Sequence, residues 1–143
     1  MISSELKYFL ITTGSAPAYN KPTFNSICVT EGIKGEICSI LSKNNNWLNL
    51  RFEDGYVAWV NGFYGINISR KKFFPYKIIY PFYKGFFRSD LPFGSKLEYK
   101  VDGAIKIESN LTFDSLPLIL KSLINVPYKW GGKTSLGFDC SGL

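Results

Sequence analysis

The sequence predicts a mainly β fold: a small barrel in the N-terminal half, a β-rich middle, and the first helices of an α+β region at the C-terminal end. Three observations carry this expectation. Aromatic residues are 17% of the 143 positions, and aromatics favour pleated, half-buried surfaces. Short alternating runs, separated by Asp-Gly and Asn-Gly turns, crowd into residues 14–66. Over residues 113–125 the hydrophobic period changes from about 2 to about 3.6 residues.

The elements follow in order. Ile27, Cys28 and Val29 form a first short run, and 35–41 alternates well enough for a second strand. Lys43 to Asn46 is a polar turn. Residues 47–52, from Trp47 to Phe52, alternate for a third strand, and Glu53-Asp54-Gly55 turns the chain. Residues 56–60 give a fourth, ended by Asn61-Gly62. Between 67 and 110, Pro75, Pro81 and Pro92 break any long element. Residues 97–101 and 104–107, joined by Asp102-Gly103, read as a hairpin. Leu116, Ile119, Leu120, Leu123 and Ile124 share one helical face, with Asp114 or Ser115 able to cap the start. Asn125 and Pro127 stop that helix.

Composition excludes several classes. No apolar run approaches the about 20 residues needed to span a bilayer. The start of the chain lacks the basic-then-apolar order of an export signal, which predicts a cytoplasmic protein, the cell envelope being the alternative. The net charge of +6 comes from residues 66–106, which hold nine Lys/Arg against three Asp/Glu. That segment reads as a solvated basic face, and no nucleic-acid-binding signature accompanies it. There are three cysteines, no Cys-x-x-Cys pair and no histidine, so neither a metal site nor a cofactor is expected. Cys28 and Cys38 lie in apolar runs and read as small buried hydrophobes.

Cys140 is different. It sits between Asp139 and Ser141-Gly142, with Gly137 just before. A cysteine nucleophile needs its thiolate, and a helix N-terminus favours that anion. The run 137–143 fits a loop leading into such a helix, where glycines let a substrate backbone approach closely.

Two resemblances rest on longer strings. Ala16-Pro17-Ala18-Tyr19, Thr30-Glu31-Gly32 with Gly35-Glu36, Trp47, and Asp54-Gly55-Tyr56-Val57-Ala58-Trp59-Val60 together resemble a bacterial SH3-like (SH3b) domain, although Ala58 stands where that family more often has Gly. Pro127-Tyr128, Trp130-Gly131-Gly132, Gly137 and Asp139-Cys140-Ser141-Gly142-Leu143 resemble the nucleophile segment of NlpC/P60 cysteine peptidases, which are papain-like. The resulting division is an SH3b-like domain over 1–66 and the incomplete start of a catalytic domain over 111–143. Residues 67–110 between them form a β-rich connector or a degenerate second SH3-like unit.

The resemblance implies roles. Cys140 would be the nucleophile, forming a thioester with the substrate acyl group. Tyr128 matches the tyrosine whose hydroxyl helps hold the oxyanion. Asp139 and Ser141 match positions lining the substrate pocket. Glu31 and Tyr56 are the candidates for the SH3b residues that bind a free substrate amine. The implied activity is bacterial cell-wall peptide hydrolysis, a cut between γ-D-glutamate and a diamino acid, with a peptidoglycan stem peptide or freed muropeptide as partner. The family's catalytic histidine lies downstream of its cysteine, and this chain contains none. The expectation is therefore a fragment of a longer enzyme that is inactive by itself. A non-catalytic wall-peptide binding module, or an amidase or acyltransferase of the same superfamily, are the alternatives.

Overall fold

The computed structural model describes residues 6–84, 86–109 and 114–142. One antiparallel sheet of seven strands dominates it: β1 (Tyr8–Ile11), β2 (Ser15–Tyr19), β3 (Cys28–Ile33), β4 (Ile37–Asn44), β5 (Trp47–Arg51), β6 (Val57–Asn61) and β7 (Gly65–Ile68). Their spatial order is β3-β2-β6-β5-β4-β1-β7, so β3 and β7 are the edges. Register shifts interrupt β2 at Ala18/Tyr19 and β4 between Ile40 and Ser42. Such irregularities bend strands and let a small sheet wrap around its own core.

Alternation builds that core. Phe9 and Ile11 of β1, Ala16 and Ala18 of β2, Leu48 and Leu50 of β5, and Ala58 and Val60 of β6 point inward, joined by Cys38 and Phe52. The outer face of β1 is buried too: Leu10 packs with Ile37 and Phe74 in a second cluster. This two-sided burial explains why β1 was not legible as an alternating strand. Asp54-Gly55 turns as the sequence predicts, with Gly55 at φ 87° and Gly55 N–H donating to Phe52 O at 3.0 Å. Leu50 is fully buried. Leu50→Ala is expected to cost about 2–5 kcal/mol, checked by urea denaturation of the two proteins.

The mainly β expectation holds. The expected 97–107 hairpin forms its turn but not its pairing. β11 (Lys96–Leu97) and β12 (Ala104–Lys106) both pair with β8 (Tyr76–Ile78), which lies between them. Burial explains the arrangement, because Leu97, Ala104 and Ile78 close one cluster with Leu91 only when β8 is central. β9 (Phe82–Tyr83) and β10 (Phe86–Phe87) make a separate ribbon. The helix α1 (Leu116–Ser122) is shorter than expected, and position 113 lies outside the described residues. Of the five residues expected on one helical face only Ile119 is buried; Leu120, Leu123 and Ile124 line an open cleft. Asn125, at φ 72°, ends the helical region as predicted. Two further strands, β13 (Lys133–Thr134) and β14 (Gly137–Phe138), form a hairpin near the C-terminal end. No helix among the described residues is long and apolar enough to cross a membrane.

Candidate functional site

Residues 126–142 form an arm that carries Cys140. Two backbone bonds fold it on itself: Phe138 N–H donates to Pro127 O and Lys129 N–H to Phe138 O, both at 3.1 Å. Tyr128 thereby sits in a bridge beside Phe138. Inside this frame Lys129 to Gly132 make a turn, closed by Gly132 N–H to Lys129 O at 2.8 Å.

Asp139 is the hub of the arm. Its Oδ2 accepts from Gly131 N–H at 3.0 Å. Its Oδ1 accepts from Ser141 N–H at 3.0 Å, Ser141 Oγ–H at 2.9 Å and Gly142 N–H at 2.7 Å. Bonds to the N–H groups two and three residues on are the pattern of a helix N-cap, and they place Cys140 in the first position after the cap. Desolvation pushes the Asp139 carboxyl up, but these donors outweigh it and hold it below the usual aspartate value. Ser141 thus reaches the site through Asp139.

Cys140 and Tyr128 open onto one cleft of about 380 Å³, walled by Leu120, Leu123 and Ile124 on the α1 side and by Phe138 on the arm side. Its surface is mainly apolar, with Tyr128, Asp139 and Cys140 as the chemically active groups. The structure therefore brings Cys140, Tyr128, Asp139 and Ser141 together. All three cysteines are free thiols, and only Cys140 is exposed. Burial pushes the Cys38 thiol far above its ordinary value. Burial also raises that of Cys28, whose S–H donates to Thr30 O at 3.4 Å. Native protein treated with iodoacetamide is expected to be alkylated at Cys140 first, with Cys38 reacting only after unfolding. Peptide mass mapping over time checks this order.

The arm is clamped to the barrel at edge strand β3. Glu31 has no exposed side-chain surface. Its Oε1 is ion-paired with Lys129 Nζ, and its Oε2 accepts from Lys133 N–H at 3.0 Å. Gly131 lies flat on β3: a Cβ there would stand 2.9 Å from the Val29 carbonyl carbon and 3.0 Å from Thr30 N. A second clamp joins Lys133 Nζ to Asp54 Oδ2, while Asp54 Oδ1 accepts from Tyr56 N–H at 2.9 Å. Desolvation raises the Asp54 carboxyl, but the Lys133 ammonium and the Tyr56 N–H more than reverse it, so it lies below its ordinary value. Tyr56 is half exposed on the barrel surface beside this clamp. Glu31 and Tyr56 thus both stand at the junction of barrel and arm, with both Glu31 carboxylate oxygens engaged inside the chain.

Lys129, Lys133 and Asp54 were not singled out by sequence reasoning as site residues. The lysines fall at unconstrained positions of the string around Cys140, and no local spacing links residue 31 to residue 129. Among the described residues no three His, Cys, Asp or Glu side chains gather as a metal site would require.

Comparison with known proteins bears on the barrel and, over a short stretch, on the chain's relationships. Residues 18–62 match the family described as the bacterial dipeptidyl-peptidase Sh3 domain. A stretch of 34 residues, 24% of the chain, is 50% identical to "Probable peptidoglycan endopeptidase LytE" of Bacillus subtilis (strain 168). The match covers 10% of that relative's length. The barrel is thus similar to a bacterial SH3 domain, and the chain is related in part to a peptidoglycan hydrolase.

Proposed function

We propose that this chain carries the nucleophile half of a cysteine endopeptidase acting on peptidoglycan peptides, joined to an SH3b barrel that helps bind them. The observation that carries the reading is the exposed Cys140 thiol in an apolar cleft beside Tyr128, at the first position after the Asp139 cap. The partial similarity to a peptidoglycan endopeptidase supports the substrate class.

In this reading the Cys140 thiolate attacks the γ-D-glutamyl carbonyl carbon, and Tyr128 O–H donates to the developing oxyanion. Collapse breaks the C–N bond, the amine of the diamino acid leaves with a proton, and an acyl-Cys140 thioester remains for water to hydrolyse. The proton transfers need a general acid–base, and the 143 residues contain no histidine to supply it. Asp139 lines the pocket, and Ser141 supports it by donating to its carboxylate. Glu31, which holds the Lys129 ammonium, is in this reading the acidic anchor for a substrate's free ammonium, its carboxylate shared with Lys129 and Tyr56 beside it. The corresponding division of the chain is 1–66, 67–110 and 111–143.

The acylation half can be tested without a base, by thiol exchange. An L-alanyl-γ-D-glutamyl thioester is expected to acylate Cys140, its leaving thiolate taking a proton from water. Tyr128→Phe should slow this about 100-fold, and Cys140→Ser should abolish it. Equal rates for the γ-D-glutamyl and α-L-glutamyl thioesters would sink the reading. The match to a bacterial Sh3 domain supports a second reading, a wall-peptide binding module. Saturable peptide binding with no acyl transfer would establish it instead.

A further inference from the structure

A second surface of the barrel, carried by the ends of β2, β5 and β6 and the turn after β6, is built for a ligand of different chemistry. Tyr19, Phe24, Trp47, Phe63 and Tyr64 form a continuous set of ring contacts. Phe24 lies 4.7 Å from Trp47 and 6.1 Å from Phe63 between centroids, and Phe63 lies 4.1 Å from Tyr64. Tyr19 meets both Phe24 and Trp47 edge-on. Two of these rings are left largely in water, Phe24 at 52% and Phe63 at 64% exposure. Rings of this size are normally used to cover a core or a partner.

Phe63 also lines a neighbouring cleft of about 350 Å³. Buried Phe9 and Leu48 close its floor, and Lys43, Asn46, Asn61 and Asn67 stand around it. The side chains of Lys43, Asn46 and Asn67 make no hydrogen bond or ion pair with the described residues. Asn61 uses only its Oδ1, which accepts from Phe63 N–H at 3.3 Å. The rim therefore offers carboxamide donors, carboxamide acceptors and one ammonium, and none of its residues is a carboxylate.

We infer that this cleft and ring platform bind a saccharide, with a pyranose stacked on Phe63 and Phe24 and its substituents bonded by Asn46, Asn61, Asn67 and Lys43. A sugar ring has an apolar C–H face and an equatorial belt of donors and acceptors. Aromatic faces suit the first, and carboxamides, which donate and accept at once, suit the second. A small number of placed polar groups over an apolar floor is the usual composition of a small-ligand site. A peptide's ammonium would call for a facing carboxylate, and none of the lining residues carries one. The inference does not depend on Cys140: no residue lining this cleft lies on the arm that carries the thiol.

The test is an NMR titration of the isotope-labelled 143-residue chain with a β-1,4-linked N-acetylglucosamine hexamer, and in parallel with pentaglycine. The hexamer is expected to shift the Asn46, Asn61 and Asn67 amides and the Trp47 indole, with a dissociation constant at or below about 1 mM. Phe63→Ala should weaken binding about 3- to 10-fold without moving the melting temperature, since the ring is exposed, and Asn67→Ala should weaken it independently. No shifts at about 10 mM hexamer, pentaglycine perturbing the cleft while the hexamer does not, or unchanged affinity in both variants would each overturn the inference.

Discussion

Replacing Lys129 with methionine is expected to detach the Cys140 arm from the barrel and to destabilise the protein by roughly 2–3 kcal/mol. The loss arises on the Glu31 side of the pair. That carboxylate has no exposed surface, so without the ammonium it keeps only the Lys133 N–H at 3.0 Å against the cost of a buried charge. Fully buried pairs broken in this way lose about 3–5 kcal/mol. The smaller figure applies because the Lys129 side chain is 40% exposed and solvent screens its end of the interaction. Glu31→Gln should be milder, since a neutral carboxamide carries no charge to strand. The double variant Glu31→Gln/Lys129→Met should recover part of the single Lys129→Met loss, the signature of a coupled pair. Hydrogen exchange of residues 127–139 and chemical denaturation of the four proteins measure both effects. Additive losses would show that the pair does not couple arm to barrel.

Acid is expected to loosen the same arm before it unfolds the barrel. Asp139 and Asp54 both have carboxyls held below their ordinary value, desolvation being outweighed by donors from the arm or to it. A group whose folded pKa is depressed contributes stability that is fully present above the unfolded value, near 3.9 for Asp. That contribution is lost as pH falls through the folded value. Protonating Asp139 weakens four bonds within the arm, and protonating Asp54 releases Lys133. Amide exchange over 130–142 should therefore accelerate below about pH 4, while the β5 amides stay protected. Asp139→Asn should already exchange faster at neutral pH, by about 1 kcal/mol in local opening energy, and its acid response should flatten. Glu36 works in the opposite direction: burial raises its carboxyl, so its contribution is greatest in acid and declines as pH rises through its folded value. Local exchange is consequently the right readout, because a melting temperature would mix the two signs.

The barrel was readable where each strand buries one face. Leu48 and Leu50, then Ala58 and Val60, alternate inward, and the Asp54-Gly55 turn between them needs the positive φ that Gly55 adopts. Reading failed where burial is two-sided or pairing is distant. β1 buries Leu10 as well as Phe9 and Ile11, so no alternation marks it. β8 enters between β11 and β12 from about twenty residues upstream, a choice made by one shared core and invisible to turn chemistry. At the site, the string around Cys140 names residues that lie together because the bonds of Asp139 to Ser141 and Gly142 are local. Glu31 was named for a substrate amine, and its position beside the arm is where the structure places it. Its ion pair with Lys129 spans 98 positions, and such a contact has no local signature.

The lie of the arm along β3 has a consequence for association. β3 pairs only with β2, so one side of it is a sheet edge, and β13 with Gly131 rests against that side. An uncovered edge strand is a template for another chain's backbone. A protein cut before Pro127 would present that edge together with the Glu31 carboxylate, and two such molecules could meet there edge to edge. The segment that bears the thiol therefore also acts as the guard that keeps the barrel from pairing with its own kind.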